Sequence, residues 1–130
     1  LKFINLLFLF CFVLVLLDAD YETRFWCLYE SFLATHTFDG ECLVASADHM
    51  QVVCEGSYAK SPELVQEQRV TLFLSMWTHT STVQAFDQLR GDDIKVTNLR
   101  DKDEQLDRLQ NLELLLRSFS ECRNWHSVLR

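Results

Sequence analysis

An uninterrupted apolar run, Leu6–Leu17, constrains this chain more than any other feature. Its twelve residues are too few to cross a hydrocarbon layer of about 30 Å as a helix, but they match the apolar region of a secretory signal. Lys2 precedes the run, and the small residue Ala19 follows it as a cleavage point. We therefore predict a signal peptide over residues 1–19 and a secreted, extracellular domain over residues 20–130, with no stable membrane span after cleavage. An uncleaved membrane anchor is the alternative.

Acidic residues dominate the charge of the chain. Nineteen Asp and Glu against twelve Lys and Arg give a formal net charge of −7, and the basic residues are scattered along the sequence. A nucleic-acid backbone is bound through clustered Lys and Arg. We therefore expect no nucleic-acid partner, and we interpret the negative charge as a source of solubility.

Four cysteines remain after removal of the predicted signal peptide: Cys27, Cys42, Cys54 and Cys122. An even number of cysteines in a secreted domain predicts two disulfides, and spacing alone leaves all the pairings open. Zinc-binding cysteines typically come in pairs roughly two to four residues apart, and no two of these four are so close. No metalloprotease, hydrolase or phosphate-binding motif is present, so we predict no metal site, no cofactor and no catalytic residue.

Apolar periodicity predicts the elements that follow the signal. Apolar residues recur at intervals of three and four from Tyr21 to Leu33, which predicts an amphipathic helix. Its apolar face consists of Phe25, Leu28, Tyr29, Phe32 and Leu33. Two short strands are expected at residues 41–47 and 50–55. Ser61 as a cap, followed by a proline, predicts a short helix over residues 62–68.

The second half of the chain has a different residue pattern, which favours strands. β-Branched residues and period-two alternation predict strands at residues 69–77, 78–83 and 94–99. Residues 101–119 fit two patterns. Leucines at helical spacing favour a long amphipathic helix, whereas alternating leucines near the end of the segment favour the closing strand of a sheet. The sequence leaves this choice open.

Three side chains are candidates for a ligand-binding surface. On a strand, Phe73, Trp77 and His79 point to one face of the sheet. An aromatic wall with a few polar groups is typical of a site for a small apolar ligand. The alternative is that the two aromatic rings pack against the first helix in the core.

Cys54, Gly56, Tyr58 and Lys60 form the pattern C-x-G-x-Y-x-K. This pattern resembles a small secreted nematode family with a nuclear-transport-factor-two-like domain. The resemblance implies an α+β fold in which one or more N-terminal helices pack on a curved antiparallel sheet, like a cone with a cavity at its open end. It also implies a disulfide between Cys54 and Cys122. An all-α bundle is the alternative fold.

Function follows from these expectations. We predict a secreted, non-enzymatic binding or interaction module whose partner is a small apolar ligand or an extracellular protein. One alternative is a helical cytokine-like signal, because residues 114–121 are similar to the last helix of long-chain cytokines. Another is an isomerase-like enzyme with a cone cavity, in which His79 or Asp48 is the general base and Tyr58 the hydrogen-bond donor.

Overall fold

The computed structural model describes residues 4–128, with side chains described for residues 4–122. Helices and short strands both contribute to it, which confirms the α+β class. The elements are α1 (Asn5–Phe10), β1 (Val13–Leu17), α2 (Phe25–Ala34), β2 (His36–Phe38), β3 (Leu43–Ala45), β4 (Met50–Cys54), α3 (Gly56–Ala59), α4 (Glu63–Thr78), α5 (Thr82–Leu89) and α6 (Leu99–Val128). A single 3₁₀ turn, Tyr21–Thr23, lies between β1 and α2.

The strands form two small sheets. β1 and β4 pair in parallel, with Val13 opposite Met50 and Leu17 opposite Cys54. β2 and β3 form an antiparallel hairpin, and Gly40 in its loop has a φ of 106°, which favours glycine. The curved antiparallel sheet that the resemblance implies is not confirmed.

Helix α2 lies at the centre of the larger core. All five residues of its predicted apolar face are buried, so the prediction of this helix is confirmed. α1, α4, α5 and α6 contribute further buried side chains around it, namely Leu9, Trp77, Ala85, Leu89, Leu106, Leu109, Leu112 and Leu116. Inside this core the indole Nε1–H of Trp77 donates a hydrogen bond of 2.9 Å to the Ser31 hydroxyl, which joins α4 to α2.

A second core forms under the β1–β4 sheet. Val15 and Leu17 of β1 pack there with Met50 of β4, Ala34 of α2 and Phe73 of α4. The segment predicted as a signal peptide is therefore folded into the domain in this structure. Cleavage after Ala19 stays a prediction, and its consequence for the fold is specific: it would leave β4 without a parallel partner.

The strand predicted at residues 69–77 is wrong, because α4 continues from Glu63 to Thr78. The predicted short helix at residues 62–68 is its first part, and Pro62 rather than Ser61 occupies the cap position. The alternation of Val70 and its neighbours suggested a strand, but the buried side chains Phe73 and Trp77 are four residues apart. That spacing is the helical one.

The strands predicted at residues 78–83 and 94–99 are also wrong. Residues 79–81 form the connection to α5, which Ser81 and Gln84 begin with reciprocal side-chain caps. Residues 94–98 are irregular, apart from one parallel bridge between Lys95 and Arg24. Intrinsic strand propensity was overridden in both places by helix capping and tertiary packing.

Residues 101–119 adopt the helical alternative as part of α6. Four of the leucines at helical spacing are buried against α2 and α5, namely Leu106, Leu109, Leu112 and Leu116. Phe119, which the same pattern places on the apolar face, is half exposed. Among the described side chains, the apolar face of α6 is therefore covered as far as Leu116 and exposed at Phe119.

The predicted disulfides are not present in the structure. All five cysteines are free thiols, including the pair Cys54 and Cys122. Cys54 is buried at the end of β4, where its Sγ lies 3.8 Å from the carbonyl oxygen of Gln66, whereas Cys122 is exposed near the end of α6. The resemblance implied that both lie on neighbouring sheet elements, and α6 is not a strand.

Lys102 is a buried cation that holds an irregular segment in place. Its side chain is 6% exposed, and its ammonium donates to the carbonyl oxygens of Gly91 at 2.7 Å and Ile94 at 3.2 Å. The ammonium also lies over the Phe25 ring, with Nζ 6.0 Å from the ring centroid. Lys102 therefore ties residues 91–94 to the start of α6.

We expect Lys102→Met to lower the free energy of unfolding by about 1–3 kcal/mol, because two carbonyl groups lose a charged donor. Urea unfolding followed by circular dichroism measures the change. Lys95→Met is the matched control, since Lys95 is exposed, and it should change the free energy by less than about 0.5 kcal/mol. Equal effects of the two substitutions would contradict the role given to Lys102.

We also expect removal of residues 1–19 to destabilise the fold severely. Leu9, Val15 and Leu17 are nearly fully buried, and burial of each such side chain contributes about 1.5–3 kcal/mol. Urea unfolding of the trimmed chain should show a loss of more than about 4 kcal/mol, or no cooperative transition. A trimmed chain as stable as the parent would show that β1 is dispensable.

Candidate functional site

The structure places the three predicted ligand-binding residues on and after a helix. Phe73 and Trp77 lie one turn apart on α4, and each is 1% exposed. His79 is exposed just beyond the end of α4. The prediction that they share one face of a sheet is therefore wrong. Both aromatic rings are buried in the core, as the alternative interpretation expected. Ligand binding by these residues stays a prediction.

The residues of the enzyme alternative lie on separate elements. Asp48 is in the turn before β4, and Tyr58 is in α3 under the guanidinium of Arg69, 3.9 Å from its ring centroid. His79 follows α4. Trp77 borders a groove of about 410 Å³ next to Met76 and Ile94, but its ring offers almost no free surface. None of these places combines a base, a nucleophile and a donor.

A different groove, of about 310 Å³, runs along β1 beside α2. One wall is apolar and consists of Phe8, Val13, Leu14, Val15 and Leu16. The other wall is polar and consists of Asp18, Tyr21, Arg24, Cys27 and Glu30. We call it the edge groove. Its polar wall exists because positions three apart in and just before α2 share one side of the helix.

The main chain of β1 leaves one edge unpaired at this groove. The N–H of Val13 donates to the His49 carbonyl at 2.8 Å, and the carbonyl of Leu17 accepts from Glu55 N–H at 2.8 Å. Residues 13, 15 and 17 thus direct their main-chain groups toward β4. Those of Leu14 and Leu16 point the opposite way. Within residues 4–128 no hydrogen bond satisfies these four groups.

The side chains on this edge are apolar and exposed. Leu14 and Leu16 are 56% and 49% exposed, and Phe12 just before the strand is 67% exposed. No charged residue occurs from Phe3 to Leu17. Native proteins protect free sheet edges with lysine, proline or a bulge, and this edge has none of these. Such an edge is a template for pairing with another strand.

Glu30 is the unpaired charge of the edge groove. Its carboxyl group is half-buried, and burial raises its pKa above the usual range. No ion pair or side-chain hydrogen bond reaches it from the other described residues. A carboxylate that has lost contact with water and has no partner is stabilised when a cation or an N–H donor binds to it.

Two further titratable groups of the polar wall, those of Tyr21 and Cys27, are held neutral. Burial raises the pKa of Tyr21, and the nearby Cys27 and Glu30 raise it further. Burial also raises the pKa of the Cys27 thiol, despite the opposing effect of Arg24. At neutral pH the groove therefore presents a phenol and a thiol, not a thiolate nucleophile. The chemistry is suited to binding.

Sequence reasoning missed this groove for identifiable reasons. Glu30 lies outside the predicted apolar face of its helix, and Cys27 is one of the cysteines predicted to form disulfides. The spacing of Arg24, Cys27 and Glu30 places them on one face of α2. What the sequence does not show is that β1 lies beside that face, because β1 was assigned to a signal peptide.

The chain matches no known protein-family model, no curated protein and no solved structure. The resemblance to the nematode family therefore stays a prediction. In the part of the chain that the structure describes, no helix is long and apolar enough to cross a membrane. The same residues contain no group of three or more His, Cys, Asp or Glu placed to hold a metal ion.

A buried histidine lies outside the groove, where two helices end. His36 is 2% exposed, with Nδ1 2.7 Å from the Phe32 carbonyl oxygen and Nε2 3.0 Å from that of Thr80. Only the charged ring donates to both. Burial nevertheless lowers the pKa of His36, against the opposing effects of the two carbonyls and Glu113. The neutral ring therefore donates to one carbonyl at neutral pH.

We expect His36 to make the fold less stable in acid. In the unfolded chain the ring takes up a proton near its usual pKa of 6.5, whereas the folded ring does so only at lower pH. The unfolded state then binds more protons, so the free energy of unfolding falls as the pH drops below about 6.5 and levels off below the folded pKa.

Urea unfolding from pH 7.5 to 5 measures this effect in the parent and in His36→Leu. Glu30 has a raised pKa and acts in the opposite direction, but it is present in both proteins and cancels in the difference. His79→Gln, at an exposed position, should keep the parental slope. A His36→Leu slope equal to that of the parent would contradict the assignment.

Proposed function

We propose that this protein is a non-enzymatic interaction module that binds an extended peptide segment by adding it as a strand to β1. The free main-chain groups of Leu14 and Leu16, beside the unpaired carboxyl of Glu30, support the proposal. Strand addition gives affinity through main-chain hydrogen bonds and specificity through alternate side chains. The edge groove offers both kinds of contact.

The apolar wall sets the character of the bound segment. Alternate side chains of an added strand lie next to Leu14 and Leu16 on the outer face of the sheet. Burial of apolar surface contributes about 25 cal/mol per Å², so exposed leucines on a strand edge favour apolar partners. We expect β-branched or other apolar residues at alternate positions of the segment.

Glu30 sets the charge of the bound segment. A lysine or arginine that reaches this carboxylate forms a charge-assisted hydrogen bond in a half-buried place, where it is stronger than on an open surface. An acidic residue in the same place meets a like charge and is disfavoured. The preferred segment therefore combines apolar residues with one basic residue.

A second candidate is a small apolar ligand with a cationic group. The groove volume of about 310 Å³ is at the lower end of the range typical of ligand pockets. The cone cavity implied by the resemblance is a different site and would involve Phe73 and Trp77. Both rings are buried here, so we place the ligand of this alternative in the edge groove instead.

The proposal depends on β1 being retained. A chain cleaved after Ala19 has no edge groove, so the proposed site and signal cleavage exclude each other. Secretion stays a prediction from the apolar run. N-terminal sequencing of the protein purified from its own cells decides whether the Val13–Leu17 strand is present in the working molecule.

We expect a fluorescent peptide of alternating valines with one central lysine to bind the full chain in an anisotropy titration. The same peptide with glutamate in place of lysine should bind at least about tenfold more weakly, a difference of about 1.4 kcal/mol. A peptide N-methylated at alternate residues should not bind, because it lacks the donors. Equal binding of all three would refute strand addition.

Two substitutions test the two halves of the site. Leu14→Pro removes an outward N–H without touching the bonds to β4, and it should weaken peptide binding at least tenfold. Glu30→Gln should abolish the preference for lysine over glutamate, whereas the exposed Glu22→Gln should keep it. A different outcome would favour the small ligand over the peptide. In that case neither the parent nor Leu14→Pro binds the peptides, and both bind a small organic cation equally well.

A further inference from the structure

We infer that the edge groove is self-complementary and that its partner is a second copy of this chain, related by a twofold axis through Val15 and Cys27. This inference rests on the proposed function and names the strand that is added.

The free edge of β1 fits an antiparallel copy of itself. A twofold axis at Val15 places Leu14 opposite the partner's Leu16, and Leu16 opposite the partner's Leu14. In an antiparallel pair, such residues exchange both of their main-chain hydrogen bonds. These are the groups that β4 leaves free. The leucine side chains of both copies then meet on the outer face of the resulting sheet.

The polar wall is also complementary to itself. Arg24, Cys27 and Glu30 are evenly spaced along one face of α2, with opposite charges at the two ends. A twofold axis at Cys27 places Arg24 next to the partner's Glu30, and Glu30 next to the partner's Arg24. This arrangement supplies the cation that the half-buried carboxyl of Glu30 lacks in the single chain.

A single axis meets both conditions when β1 and α2 run in opposite directions along the groove. The contact of α1, which precedes β1, with the middle of α2 supports this direction: the Asn5 side-chain amide donates to the Tyr29 hydroxyl at 3.0 Å. Arg24 and Glu30 are six residues apart, which is about 9 Å along a helix. Three strand residues cover about 10 Å. With Arg24 level with the last residue of β1, Cys27 lies about 5 Å and Val15 about 7 Å along the groove. The two residues are therefore nearly level with each other.

Pairing requires little rearrangement of the single chain. Arg24 forms an ion pair with Asp20 at 3.4 Å, with the two side chains 57% and 74% exposed. An ion pair so exposed contributes little to stability. Arg24 is therefore free to exchange Asp20 for the partner's Glu30. An isologous interface of this kind closes on itself as a dimer and does not extend into a fibre.

Sedimentation equilibrium of the full chain tests the inference. We expect a monomer–dimer equilibrium in the parent and a dissociation constant at least tenfold higher in Leu14→Pro. Arg24→Glu and Glu30→Arg should each weaken the dimer at least tenfold, because like charges then meet. The double variant Arg24→Glu/Glu30→Arg should restore it, since each new glutamate faces a new arginine. Circular dichroism checks that every variant folds.

A parent that stays monomeric at all concentrations would overturn the second copy as the partner, as would a double variant without rescue. The lysine peptide of the preceding subsection separates this failure from a failure of the proposed function. If the monomer binds the peptide, strand addition stands and the partner is another chain. If the parent neither dimerises nor binds the peptide, the proposed function fails as well.

Discussion

The parallel pairing of β1 with β4 is the interaction on which the rest of this structure depends. It positions Val15 and Leu17 over the second core, and it brings β1 next to the outward face of α2. Because the sheet has only two strands, pairing one side of β1 necessarily leaves the other side free. The same contact that completes the fold therefore creates the free strand edge at which we propose that a partner binds.

Burial is the reason why we propose this surface for recognition. The groove removes water from Glu30, Cys27 and Tyr21 without giving any of them an opposite charge strong enough to reverse the effect, so the pKa of each is raised. A neutral thiol and phenol do not attack a substrate. An unpaired carboxyl and free main-chain groups, in contrast, gain free energy only when another molecule supplies their partners.

The sequence predicted those elements whose apolar residues follow a single period. The prediction of α2 was correct because its apolar residues fit the helical period and not the strand period. α4 was not, because its period-two alternation masked the spacing of Phe73 and Trp77, and helix α6 stayed open for the same reason. The edge groove could not be predicted, because it depends on the pairing of β1 with β4, and these two strands are distant in sequence.

Amide hydrogen exchange within β1, followed by nuclear magnetic resonance, tests the central claim most directly. In dilute protein, the amides of Val15 and Leu17 should exchange slowly because they bond to β4, while those of Leu14 and Leu16 exchange fast. A rise in protein concentration, or addition of the lysine peptide, should slow amide exchange at Leu14 and Leu16 and leave the exchange at the other two residues unchanged. Fast exchange at all four positions would show that β1 is not part of the sheet and would contradict the account.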